Sequence, residues 1–138
     1  MSEVTHIYGL DVAEFIHGYL SAALWSSNDE SDENGGQPFD SNYSIEDFDA
    51  EALDRANADC RAFLYSIGYL ITEDNFNSRR PLEMYAGHDF WLTRNGHGAG
   101  FWDGDWKCDT SDYQPLTKAA KAFAEVNLFA HDGQVGME

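Results

Sequence analysis

The sequence predicts an α+β domain, with two N-terminal helices and a short C-terminal helix packed on a small antiparallel sheet. Three observations predict it. Apolar residues recur at spacings of three and four over 10–25 and again over 44–72, the period of a helix with one buried face. An aromatic, β-branched run at 89–94 is followed by Asn95-Gly96-His97-Gly98 and a second aromatic run at 99–103, the pattern of a hairpin. With 138 residues, 9 Phe, 7 Tyr and 4 Trp, the chain has the size and apolar content of a single domain over 1–138, unlike a disordered acidic chain, which is poor in aromatics.

The elements follow in order. Asp11 can cap a helix whose stripe is Val12, Phe15, Ile16, Tyr19, Leu20, Ala23 and Leu24. Residues 26–43 read as a mobile loop, in which two glycines and Pro38 follow four acids. Ser44 and Asp47 form a capping-box-like start, and Asp49 can begin a longer helix. Its stripe runs through Leu53, Ala56, Cys60, Phe63, Leu64, Ile67, Leu70 and Ile71. Residues 73–86 read as a connection, with a short helical turn open at Pro81–Tyr85. The hairpin comes next, with its turn at 95–98. Pro115 suits the first position of a helix over 115–125. Residues 126–130 read as a strand, and Asp132-Gly133 turns it back onto Gln134–Met137.

Charge is the dominant compositional feature. The net charge is −17, from 25 acidic and 8 basic residues. Residues 1–74 hold 16 acids and 2 bases, a balance of −14; residues 75–138 hold 9 acids and 6 bases, a balance of −3. Solubility alone needs a net charge of roughly 2–8 in a small domain. Carboxylates early in a helix gain about 0.3–1 kcal/mol each from its dipole, which accounts for only part of the cluster. The acids singled out as an interaction surface are Asp29, Glu30, Asp32 and Glu33 in the loop, and Glu46, Asp47, Asp49, Glu51, Asp54 and Asp59 around the second helix. Direct binding to nucleic acid or to an anionic membrane is disfavoured, because both need clustered Lys and Arg. No apolar run approaches the roughly 20 residues of a spanning helix. The start Met1-Ser2-Glu3-Val4 lacks the marks of a secretory leader, so the expected compartment is cytoplasmic.

Specific chemistry is thinly signalled. His88, Asp89, His97 and Asp103 are metal-ligand types, but a hairpin would put the two histidines about 20 Å apart at opposite ends of a strand. Asp103-Gly104-Asp105 with Asp109 is too sparse for a calcium loop. Cys60 falls on the apolar stripe and Cys108 lies beside Lys107. Two reduced thiols are expected. No cofactor motif and no catalytic constellation is present, so an enzyme is not expected.

The stretch Gly87-His88-Asp89-Phe90-Trp91-Leu92-Thr93-Arg94-Asn95-Gly96-His97-Gly98-Ala99-Gly100-Phe101-Trp102-Asp103 resembles a family of small acidic proteins encoded by tailed bacteriophages. Residues 19–27, 42–47, 116–123 and Asp132-Gly133 look similar to it too. The resemblance implies expression in the cytoplasm of an infected bacterium, and supplies no catalytic residues. It also gives the acidity a context, since several phage anti-defence inhibitors act as DNA mimics through displayed carboxylates. The expected function is therefore inhibition of a host restriction or CRISPR protein at its basic nucleic-acid-binding surface. Helix carboxylates one turn apart, about 5.4 Å, would stand in for phosphates. Two alternatives remain at this point: an adaptor or inhibitor binding a host protein through the hairpin residues Trp91, Arg94, His97 and Trp102, and a small metal-dependent enzyme. A homodimer is compatible with either binding role.

Overall fold

The computed structural model describes residues 3–29 and 36–138, which form four α-helices and three separate two-stranded antiparallel ladders. The α+β class holds at that level. The single sheet expected to carry the helices is not found among the described residues; the core is made chiefly by helix on helix.

Strand β1 (His6–Ile7) turns at Tyr8-Gly9, both at positive φ (51° and 75°), and pairs with β2 (Leu10–Asp11). Such a turn matches the natural twist of a hairpin. Asp11 then caps α1 (Val12–Ser26), its carboxylate accepting the Glu14 N–H at 3.2 Å. Val12, Phe15, Tyr19, Ala22 and Ala23 bury the inner face. Part of the expected loop at 26–43 is ordered into a ladder, β3 (Asn28–Asp29) with β4 (Gln37–Pro38). Phe39 follows, fully buried.

The second helical region is less continuous than its periodicity predicts. A 3₁₀ turn, Ile45–Asp47, is followed by α2 (Ala50–Ile67) and a second 3₁₀ turn, Gly68–Leu70. Asp47 accepts the Ser44 N–H at 2.8 Å, the return half of the capping box. Asp49 caps α2 by accepting the Ala52 N–H at 2.7 Å. Ala52, Ala56, Cys60, Phe63, Leu64 and Ile67 face the core. Leu53, placed on that stripe by spacing, is 42% exposed instead, because it lies at the stripe's edge in the first turn.

The largest correction is the hairpin. Residues 82–94 are helix α3 (Leu82–Arg94). All six residues from Asp89 to Arg94 are buried, because α3 is covered by α1 on one side and by α4 and the 101–103 turn on others. A helix enclosed in this way shows no polar stripe, so its run of Phe, Trp, Leu and Thr imitates a strand. Asn95-Gly96 ends the helix, with Gly96 at φ 69°, the left-handed position that commonly terminates helices. Residues 99–103 do not return as a strand; Phe101–Asp103 is a 3₁₀ turn.

Two glycines set how closely α1 and α3 approach. A Cβ at Gly18 would collide with the Met84 carbonyl, and one at Gly87 would collide with the Phe15 carbonyl. Backbone meets backbone on both sides of this crossing. Around it stack Phe15, Phe63, Phe90 and Phe101, with Phe63 and Phe90 at 4.2 Å between ring centroids.

Asp109 anchors the last helix, α4 (Pro115–Lys121), accepting N–H bonds from Leu116 and Thr117 at 2.9 Å. α4 is shorter than the expected 115–125. Strands β5 (Leu128–His131) and β6 (Gln134–Met137) then pair around Asp132-Gly133, with Leu128 opposite Met137 and His131 opposite Gln134. Val135 receives the Asp49 N–H at 2.9 Å, joining this hairpin to the start of α2. Among the described residues, no helix is long and apolar enough to cross a membrane.

Candidate functional site

The fold divides the acidic residues into those that hold structure and those that face outward. Asp47 and Asp49 are caps. Asp49 also meets His131 Nε2 at 2.6 Å. Its carboxyl is held below the usual range by the Ala52 N–H and then by His131, and the His131 ring is raised chiefly by the Asp49 contact. Asp59 pairs with Arg94 at 2.7 Å. Asp47, Asp49 and Asp59 are each half-buried and each carboxylate holds a structural partner. Asp29 stands in β3, and Glu30, Asp32 and Glu33 lie outside the described residues. Glu46, Glu51 and Asp54 remain exposed, joined by Asp40, which the sequence did not single out.

Asp40 and Glu46 line one groove of about 480 Å³ with His17, Ser21, Trp25 and Tyr43. The positions 17, 21 and 25 follow one another along the outer face of α1, one turn apart. The Glu46 carboxyl is held below its usual range, chiefly by the Ser44 hydroxyl at 2.6 Å. Two carboxylates and two aromatic side chains therefore line the same groove. An ammonium or guanidinium could pair with the acids and lie against a ring.

The four residues assigned to a hairpin surface do not form one. Trp91 is 1% exposed and its indole donates to Ser26 Oγ at 2.9 Å. Arg94 is 4% exposed. Its guanidinium donates to Asp59 Oδ2 (2.7 Å), Tyr19 Oη (3.0 Å), Phe123 O (2.8 Å) and Ala124 O (2.8 Å). It thus ties α1, α2 and α3 to the chain just after α4. The last two acceptors are carbonyls at a helix C-terminus, where a cation is favoured. His97 is half-buried beside a polar cleft with Asn95 and Glu125. Trp102 is half-buried under the Lys121 ammonium, 5.8 Å from its ring centre. Trp91 and Arg94 are therefore core residues and not part of an exposed hairpin face, while His97 and Trp102 keep part of their surface in solvent.

The metal-ligand types at 88–103 are likewise dispersed. Asp89 is 3% exposed and accepts the Trp106 indole N–H at 2.8 Å, while Asp103 accepts the Gly100 N–H at 3.1 Å. Among the described residues, no three His, Cys, Asp or Glu side chains are grouped to hold a metal ion. Both cysteines are free. Burial pushes the Cys60 thiol well up, and burial also raises Cys108, so neither is poised as a thiolate.

On the other flank of α1 lies a smaller groove of about 170 Å³, lined by Ser21, Arg80, Pro81, Met84, Tyr85 and His88 along with Gly18. The Trp25 indole N–H donates to His88 Nε2 at 2.8 Å, with the rings 5.1 Å apart. His88 is held below its usual range, mainly by burial and then by Arg80. Tyr85 donates to Asp105 Oδ2 at 2.7 Å. Sequence reasoning missed this groove because 73–86 read as a connection. The spacing Leu82, Ala86, Phe90 behind Pro81 was the available signal. Comparison with protein-family models, curated proteins and solved structures gives no match to this chain.

Proposed function

We propose that the protein is an acidic inhibitor, acting in the cytoplasm of a phage-infected bacterium, that occupies the basic nucleic-acid-binding surface of a host defence protein of the restriction or CRISPR type. It performs no chemical step. The observation that carries this reading is the groove lined by Asp40 and Glu46 together with Trp25 and Tyr43; Glu51 and Asp54 in the first turns of α2 are exposed as well. A lysine or arginine that normally grips phosphate would find a carboxylate and an aromatic face here. The −14 balance of residues 1–74 would steer such a partner from a distance, and salt would weaken it.

The test is affinity capture from bacterial lysate at low and high salt, with wild type and the D40N/E46Q/E51Q/D54N variant. None of these four acids caps an α-helix, so the variant keeps the fold, as circular dichroism would verify. Capture of a DNA- or RNA-binding protein should be lost at high salt and lost in the variant. The captured protein should release its nucleic acid on binding. Capture that is indifferent to salt and to the four neutral side chains would sink the proposal.

A further inference from the structure

The smaller groove has a chemistry opposite to that of the acidic groove. Its body is apolar, formed by Pro81, Met84 and the Tyr85 ring, and none of its lining residues is acidic. Its one cation, Arg80, lies 5.3 Å over Tyr85. In a chain with 25 acids, Arg80 has no carboxylate within 4.0 Å among the described residues. His88 supplies a second donor. Its Nε2 accepts from Trp25, so that nitrogen carries no proton, and the neutral ring holds its proton on Nδ1. The Ser21 hydroxyl is the third.

From this arrangement we infer that the groove is a binding site for a small planar anion, a single-ring aryl carboxylate or a close equivalent. The ring would lie against Met84 and Tyr85, and the carboxylate would be held by Arg80 with help from His88 and Ser21. Size and charge both suit such a ligand. An apolar cavity of about 150 Å³ accommodates one benzene ring, so a groove of about 170 Å³ is large enough to seat one ring against its wall. Elsewhere the net negative charge repels anions, so an anion that stays must find a local cation and an apolar wall together. The acidic groove adjoins this one through Ser21 and Trp25, but its carboxylates, Asp40 and Glu46, do not line the smaller groove.

Sodium benzoate is the probe, followed by ¹H–¹⁵N NMR, with benzamide as the uncharged isostere. Benzoate should shift the Trp25 indole N–H and the amides of 80–88 saturably. Benzamide should bind about tenfold more weakly or worse, the fold-change for losing a hydrogen bond between charged groups. R80Q should lower benzoate affinity by a similar factor. Arg80 is exposed and makes no bond in the core, so the rest of the spectrum should be unchanged. The inference is overturned by shifts that never saturate, by equal binding of benzamide, by full benzoate affinity in R80Q, or by shifts centred on Lys118 and Lys121.

Discussion

Replacing Asp89 with asparagine should remove a pH dependence that the wild-type fold carries. Burial pushes the Asp89 carboxyl up from its usual 3.8 to about 7. The Trp106 hydrogen bond works the other way, and the negative charges of Asp103 and Asp105 add to the rise. At the lowest pH the carboxyl is protonated whether the chain is folded or not, and its stability contribution is complete. As pH rises past 3.8 the unfolded chain releases its proton first, so folding loses free energy. The loss is complete once pH has risen through the folded value near 7. The interval spans about three pH units at 1.36 kcal/mol each, or about 4 kcal/mol in total. About 3 kcal/mol of that falls between pH 5 and 8. The amide side chain of D89N cannot ionise, and its oxygen can still accept from Trp106. Urea denaturation of both proteins across this range, followed by far-UV circular dichroism, measures the difference. D89N should gain about 3 kcal/mol relative to wild type from pH 5 to pH 8. His131, raised by Asp49, also loses its contribution as pH rises, but both proteins share that term and it cancels. A difference between the two that stays constant within about 0.5 kcal/mol would refute the argument, because Asp89 would then titrate alike in the folded and unfolded chain.

Two further outcomes follow from the core. G18A and G87A each push a methyl group into a facing carbonyl, and each should lower stability by about 1–3 kcal/mol or more, read as a fall in Tm. A melting point within a degree of wild type for either would show that the helices separate freely. R94M should cost about 3–5 kcal/mol by urea denaturation, because Asp59, Tyr19 and two carbonyls lose their common donor. R94K should recover little of it, since one ammonium cannot reproduce a four-acceptor fork; recovery to wild-type stability would mean that charge alone matters.

Features written in a few adjacent residues were legible in the sequence. Asp11, Asp49 and Pro115 start their helices where expected, Asp47 closes its capping box with Ser44, and Asp132-Gly133 turns its hairpin. Each depends on a side chain reaching its own neighbours. Residues 89–94 misled because their composition suits a strand, and their helical period vanishes once every face is covered. Asn95-Gly96 compounded this, since the same pair serves a hairpin turn and a helix end. The charge imbalance was visible at once, but its division was not. Asp59 meets Arg94 across 35 positions, and His131 meets Asp49 across 82. No local spacing rule contains such pairs. The two grooves flanking α1 were hidden for the same reason, each drawing its walls from distant segments.

The glycine crossing of α1 and α3 has a consequence for the small groove at its edge. Gly18 and Met84 both belong to that groove, and they are also where the two backbones touch. Because no layer of side chains separates the helices there, no rotamer change can widen or narrow the gap. The floor at this seam is thus fixed before any ligand arrives. The Arg80 and Met84 side chains above it keep their rotamer freedom, so ordering them on binding costs entropy. Selectivity should come from shape at the seam as well as from charge at Arg80.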